Sequence, residues 1–548
     1  MIFPEFRSVR NEKVLSIGAF GGCNRTPSCE VGEFSEMKNL SSKNFPALSP
    51  ISEMVRVANS VEDLFVYDGT IFKITLAGEL YAGSKKLREG LDSGQREFSV
   101  LGKYLVIMPD GIFYHLESGE VGTLGSVWRG DGVFAKEIGG AEGVGLNTVR
   151  SVGVDFGRYF KCGDCLEISE GGNVYGFYVV SALGDGYITF ENADLTEGSG
   201  VCSLVLERKI PSLKHTFECN NRIWGIEGDV IFASALGDPF NFYKYRGIST
   251  DSYFKEVYSG GNFTAGAAYG ETPMFFKENS IYRVFGTSPD NFYVDVKEAP
   301  GVSEACGGSV AVLDGGVYYA GTDGIYLYTS AYPVKISDKL GSLKIGYAVG
   351  GADGKKYYIS FSEFYGVKQS IGDLMRDYYK VQLYAYDTEK SCWYKYDDAL
   401  RVKKIVTGPY GSLFKKSNTL ALDMEGGVFT LSDKLASTVS EELLEYPPPP
   451  VESFGVTGVV DTGTVSRMTR LRFSALVNEG AELYGDVSFD GGEFLRCFLI
   501  KGEGREKKYS FRVPRKRFSS CRIRLGGSGD YTVYGMQIYY IPAVSGEL

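Results

Sequence analysis

Six times along this chain the same short plan recurs: an apolar run, a tight turn, and a second apolar run. "LFVYDGTIFKIT" (Leu64 to Thr75) and "YLVIMPDGIFYHL" (Tyr104 to Leu116) set the pattern. "RIWGIEGDVIFAS" (Arg222 to Ser234), "PMFFKENSIYRVFG" (Pro273 to Gly286), "GVYYAGTDGIYLYT" (Gly316 to Thr329) and "TLALDMEGGVFTLS" (Thr419 to Ser432) repeat it. Asp-Gly between alternating apolar runs is a strong hairpin signal, because both central turn positions favour positive φ. "ADGKKYYISF" and "KVQLYAYDTEKSCWYKY" supply one more hairpin pair. With 71 Gly, 38 Tyr and 35 Phe in 548 residues and almost no apolar stretch of helical period, the chain reads as all-β.

Spacing chooses among all-β architectures. The turn glycines Gly69 and Gly111 lie 42 residues apart, and Asn279 and Gly324 lie 45 apart. Such periods suit the four-stranded blades of a β-propeller. The step from Gly111 to Gly228 is 117, about 75 residues too long for one blade, which predicts an inserted domain. The expected order is therefore an extended arm at 1–55, a propeller body at 56–121 and 210–445, and an inserted small β-barrel or sandwich at 122–209. A stiff Tyr446-Pro447-Pro448-Pro449-Pro450 linker and a C-terminal β-sandwich at 451–548 complete it. Six to eight blades fit the length.

The net charge of −10 argues against a nucleic-acid-binding surface, which is normally basic. It is compatible with a channel along which DNA slides, since an acidic wall repels phosphates. The opening MIFPEFRSVRNEK has no apolar core of signal-peptide length, and no run of about 18 apolar residues predicts a membrane span. Ten scattered cysteines form no dense framework, so reduced thiols are expected.

The motifs that carry chemistry are few. His115 and His215 are the only histidines, and no Gly-x-Ser-x-Gly elbow accompanies either. Cys162-Gly163-Asp164-Cys165 has C-x-x-C spacing without a second metal-binding pair, so it reads as a turn. The Gly350 to Lys356 segment lacks the glycine spacing and the Ser/Thr of a phosphate loop and reads as a hairpin. Gly321-Thr322-Asp323-Gly324 and Phe489-Asp490-Gly491-Gly492 offer one carboxylate each, too few for calcium. The basic run Pro514 to Phe518, "PRKRF", reads as a solvated strand end, with contact to DNA or an acidic partner as the alternative. No catalytic, cofactor or metal residue is selected on these grounds, and the chain is expected not to be an enzyme.

The arm "GGCNRTPSCEVGEFSEMKNLSSKNFPALSP" resembles the opening of a family of bacteriophage and prophage structural proteins, through Gly22, Asn24, Gly32, Glu33, Asn39, Phe45, Pro46 and Leu48. The stretches from Asn221 to Gly286 and from Gly301 to Thr329 are similar to propeller segments of the same proteins. The family is that of tail hub or nozzle proteins of short-tailed phages, also called packaged-DNA stabilisation proteins. The resemblance implies a virion protein assembled in the host cytoplasm, forming a homo-oligomeric, six-fold ring. The ring would sit below the portal and adaptor, contact other tail proteins or fibres, and pass genomic DNA through its lumen. Two alternatives stay open: a receptor-facing or fibre-anchoring tail module, and a propeller depolymerase acting on surface polysaccharide.

Overall fold

The computed structural model describes residues 12–52, 54–136, 146–193, 195, 200–258, 260–363, 381–396, 400–409, 417–431 and 452–542. The proline linker at 446–450 lies outside them. Among the described residues helix is confined to short 3-10 turns, and none is long and apolar enough to cross a membrane. The chain divides into two compact units, one of residues 1–76 and 318–548, the other of 77–317.

Seven four-stranded antiparallel sheets make up a β-propeller body. Their strands run from Val61 to Arg88, Glu97 to Thr123, Lys214 to Glu256, Ala265 to Glu298, Ala311 to Lys335 and Ile345 to Lys395. The seventh sheet takes three strands from Val402 to Thr430 and its outer strand, Arg56–Ala58, from the segment that directly follows the arm. The Asp-Gly turns form as expected, with Asp68 at φ 43 and Gly69 at φ 77. Not all of them are equivalent, however. Asp68-Gly69 joins the first two strands of its sheet, whereas Asp110-Gly111 joins the second and third of the next. The 42-residue spacing is thus no blade step, while Asn279 and Gly324 do occupy matching turns.

Blade cores are aromatic. In the 77–317 unit, Trp224, Ile226, Phe263, Phe275 and Tyr282 form one buried cluster, and Trp224 is fully buried with its indole N–H donating to the Cys219 carbonyl at 3.0 Å. That bond removes the cost of burying a polar ring atom.

The insert is a closed barrel of strands Ser126–Ala135, Thr148–Asp155, Cys165–Glu170, Asn173–Phe190 and Cys202–Arg208. Closure leaves no sheet edge, and Trp128, Phe134, Phe156, Phe160, Leu166 and Ile188 fill the interior. Within the same unit the barrel is locked down by polar contacts. The buried Arg208 pairs with Asp164 at 2.5 Å and donates to the Leu124 carbonyl at 2.7 Å. The Cys165 N–H donates to the Asn241 side chain at 2.7 Å, and Phe177 stacks on Tyr243 at 5.0 Å.

In the other unit, residues 452–542, where a β-sandwich is expected, supply seven strands of one nine-stranded sheet, among them the 18-residue Val460–Val477. The sandwich is not made by the C-terminal residues alone. Lys13–Ile17 pairs with Tyr531–Pro542, and Phe34–Lys38 pairs with Glu452–Thr457, so the arm adds two more strands. Phe473, Phe498 and Phe511 pack at 4.7–6.0 Å in the core.

Candidate functional site

The residues that carry the resemblance converge on one structure, a clasp formed by the arm. Gly22 has φ 77, and a Cβ there would sit 2.7 Å from the Trp393 carbonyl oxygen. Only glycine fits both demands. The close approach lets the Cys23 N–H donate to that carbonyl at 2.6 Å. Asn24 is buried. Its amide donates to Glu33 at 2.6 Å, while its oxygen accepts from the Thr26 N–H at 3.1 Å and the Thr26 hydroxyl at 2.6 Å. Glu33 also accepts from the Glu30 N–H and from Lys339 at 2.8 Å. These donors hold its carboxyl below the usual carboxylate range against the opposing effect of burial.

Asn39 adopts φ 54, a left-handed geometry that Asn tolerates better than most residues. Its N–H donates to the Lys395 carbonyl and its side chain to the Glu452 carbonyl at 3.0 Å, so one residue touches both the blade and the sandwich. Leu48 is buried and exchanges two backbone bonds with Val533, at 2.9 and 2.8 Å. Pro46 accepts from the Phe20 N–H. Phe45 is partly exposed, under the Lys390 ammonium at 5.7 Å. Arg25 reaches from the arm to Glu363 at 2.8 Å. A cleft of about 280 Å³ remains beside the clasp, lined by Arg25, Glu36, Lys38, Tyr384, Lys395 and Phe454 among others.

A second, polar cleft of about 540 Å³ lies in the 77–317 unit, lined by Lys214, His215, Glu227, Glu278 and Glu304. His215 has φ 49 and stands 3.8 Å from the Glu97 carboxylate. Burial drives its pKa below the ordinary value, which favours the neutral ring. Gly307 leaves room for that ring, since a Cβ there would come within 2.4 Å of it. Three carboxylates and a neutral imidazole are the inventory of proton-transfer chemistry.

The remaining sequence candidates are accounted for by local structure. His115 ends a strand, and its Nδ1 accepts from the Ser118 N–H at 3.0 Å. Cys162 is exposed and Cys165 is buried, with its thiol pushed up to about 12 by desolvation. Between them Asp164 serves the Arg208 pair, and burial raises its carboxyl pKa against the pull of that guanidinium. Gly354 has φ 87 in a hairpin turn, and the buried Lys356 donates to Ser41 at 3.2 Å. Asp323 accepts from Tyr326 at 2.7 Å and pairs with Lys335. Asp490 accepts from the Ser519 and Ser520 N–H groups at 2.9 Å. In the basic run, Arg515, Lys516 and Arg517 are exposed and Phe518 is buried. Among the described residues no group of three or more His, Cys, Asp or Glu is placed to hold a metal ion. All ten cysteines are free.

No family model matches the chain, and no curated protein matches it in sequence. Solved structures do share its fold. The chain is similar to BBS1N crystallised in complex with ARL6DN, at 12% identity and a TM-score of 0.33, over 70% of this chain and 97% of that one. It is similar to the exo-β-1,3-galactanase of Phanerochaete chrysosporium, at 7% identity and a TM-score of 0.20, over 71% of this chain and 100% of that one. It is also similar to a glycoside hydrolase family 43 arabinoxylan arabinofuranohydrolase of Bacillus subtilis, at 7% identity and a TM-score of 0.18, over 88% and 96%.

At such identities and TM-scores these likenesses assign no function to this chain, and its β-propeller is read from its own seven sheets. They do correct one expectation. The lack of catalytic signatures pointed to a chain that is not an enzyme, yet glycosidases stand among the similar solved structures. Active sites on such scaffolds are set by spatial placement of carboxylates rather than by contiguous motifs, so missing motifs were no ground for excluding catalysis.

Proposed function

We propose that this chain is a structural subunit of a bacteriophage tail, in the hub or nozzle that continues the DNA channel below the portal and adaptor. The observation that supports this most is the clasp. Four of the residues through which the arm resembles phage tail proteins, Gly22, Asn24, Glu33 and Asn39, have a mechanical task here. Gly22 lets the arm approach the blade, Asn24 and Glu33 lock its turn, and Asn39 bridges blade and sandwich. A motif whose members hold β-domains together belongs to a body that bears load. The net charge of −10 suits a lumen along which DNA slides without adhering. In this reading the subunit forms a homo-oligomeric ring in the virion, with portal, adaptor and fibres as neighbours.

The test is reconstitution with portal and adaptor proteins, followed by mass measurement and imaging. A six-fold ring with a pore about as wide as a DNA duplex supports the reading. A protein that stays monomeric beside both partners refutes it.

A second reading, a propeller depolymerase, is favoured by the cleft that gathers Glu227, Glu278, Glu304 and His215. Its test is release of reducing ends from host surface polysaccharide. Activity abolished by Glu→Gln substitution at one of those positions would establish it, and no release from any host polymer would dismiss it.

A further inference from the structure

The chain is acidic, but its last domain is not. Residues 451–548 carry 14 Lys and Arg against 11 Asp and Glu. Part of that positive charge gathers on the outer face of one sheet. Strand Arg505–Arg512 presents Lys508, Ser510 and Arg512 on its exposed side. Their partners on Val460–Val477 are Ser474, Arg472 and Arg470 in turn. Arg472 and Arg470 face Gln537 and Tyr539 of the next strand, which face Ser16 and Val14 of the arm.

Arg470 and Arg512 stand directly opposite each other, an arrangement that costs stability between like charges. Glu12 neutralises Arg470, at 2.7 Å. Arg472, Lys508 and Arg512 make no ion pair among the described residues. Arg472 donates only to the Tyr539 hydroxyl, at 3.3 Å.

The same face is hollowed. A groove of about 590 Å³ is lined by Ser16, Arg472, Ser474, Lys508, Ser510 and Gln537, with Tyr534 at its wall. Its shape has a backbone cause. Between the Phe473–Met536 and Ala475–Val533 pairs the register slips, so Tyr534 and Gly535 together oppose Ser474. Gly535 has φ 141, and Tyr534 is left 46% exposed. A bulge of this kind re-aims a side chain out of the sheet. Small serines form the floor, two uncompensated cations stand over it, and an aromatic ring flanks them.

We infer that this groove is a binding site for an acidic polysaccharide, a chain of sugars bearing carboxylates. Arg472 and Lys508 would each take a carboxylate. Ser16, Ser474, Ser510 and Gln537 match sugar hydroxyls, and Tyr534 offers a face to a sugar ring. The volume falls within that of ordinary ligand sites. A single-stranded nucleic acid is a poorer fit, because it needs successive free aromatic platforms. The ring of Tyr539 is already flanked by the Arg470 and Arg472 guanidinium groups, at 4.6 and 5.1 Å. The inference is independent of the tail reading and of the Glu227 cleft.

The experiment titrates the full chain with tetragalacturonate at low salt, with maltotetraose as the neutral chain and oligo-dT as the nucleic-acid competitor. Tetragalacturonate should bind and maltotetraose should not. Arg472→Ser and Lys508→Ser should each weaken binding about tenfold, while Arg472→Lys keeps most of it. Both side chains lie at the surface, so an unchanged melting temperature verifies the fold of each variant. Absence of tetragalacturonate binding, binding that survives both serine substitutions, or tighter binding of oligo-dT would each overturn the assignment.

Discussion

Replacing Gly22 by alanine tests whether the clasp holds the arm. At φ 77 an alanine carries roughly 1–2 kcal/mol of left-handed strain. Its Cβ would stand 2.7 Å from the Trp393 oxygen and 2.9 Å from the Cys392 Cβ, well inside normal contact. Neither obstacle is the tip of a flexible side chain, so the arm must retreat. Retreat breaks the Cys23 bond to Trp393, worth about 1 kcal/mol, and the overpacking it leaves unrelieved adds about 1 kcal/mol or more. The total is about 3–4 kcal/mol of local destabilisation. Hydrogen exchange in peptides spanning residues 20–40 should then speed up by about two to three orders of magnitude, at tenfold per 1.4 kcal/mol. Gly354→Ala is the matched control, because Gly354 has φ 87 but open space around its missing Cβ. It should show the strain alone, about tenfold in its own segment. If Gly22→Ala accelerates exchange no more than Gly354→Ala does, the close-approach argument is wrong.

Three further outcomes follow from the same contacts. Asp164→Ala leaves the Arg208 guanidinium buried without its carboxylate and should cost about 3 kcal/mol; calorimetry should show it, and a melting temperature equal to that of the parent chain would count against the anchor. Glu33 has a folded-state pKa below its ordinary 4.5, so its stabilisation is complete above that value and is lost as pH falls through the lower folded value. Arm exchange rates should therefore rise on acidification below about pH 4.5, and Glu33→Gln should flatten that dependence; equal profiles in both proteins would remove Glu33 from the account. Finally, Cys162 is exposed, while burial holds the Cys165, Cys219 and Cys521 thiols up to about 12. Mild alkylation followed by peptide mapping should label Cys162 first and leave those three protected in the native state.

The fold was legible where its determinants are local. Each Asp-Gly or Glu-Gly turn declares its hairpin because positive φ is a property of the residues in the turn, as Gly69, Gly111 and Gly228 show. The surplus between Gly111 and Gly228 declared an insert, and the strands of that interval close into a barrel. What stayed hidden is non-local. The outer strand Arg56–Ala58 is three residues long and pairs with Val428 and Phe429, more than 350 positions away. Nothing in so short a segment announces such a partner. The same holds for the arm strands of the sandwich, which look like any Gly- and Pro-broken loop until Glu452–Thr457 is beside them. The cationic groove was less legible still. The compact run Pro514 to Phe518 drew attention by sequence, whereas Arg472 and Lys508 lie 36 positions apart and share a face only through strand pairing. The Glu227, Glu278 and Glu304 cleft was invisible for the same reason: carboxylate separation is a fact of space.

The arm also constrains any assembly the subunit makes. A free β-arm would be the obvious device for linking neighbours, by adding a strand to the next subunit. Here its strands are used within the chain. Lys13–Ile17 and Phe34–Lys38 pair at the two ends of the sandwich path, and Arg56–Ala58, directly after the arm, completes a blade. Strands committed to their own chain are not free to pair with a neighbour, so the arm acts against strand exchange between copies. In the proposed ring, contacts would then come from side chains on surfaces that stay open. In the 77–317 unit, Phe254, Tyr293 and Val296 are exposed on the outer strands Tyr253–Glu256 and Tyr293–Glu298 of two blades, and Tyr258 follows the first of them. Aromatic anchors of this kind supply most of the energy of a protein interface, and heterologous contacts made through them close a ring without opening any sheet. A subunit built this way would assemble by docking finished domains rather than by exchanging strands.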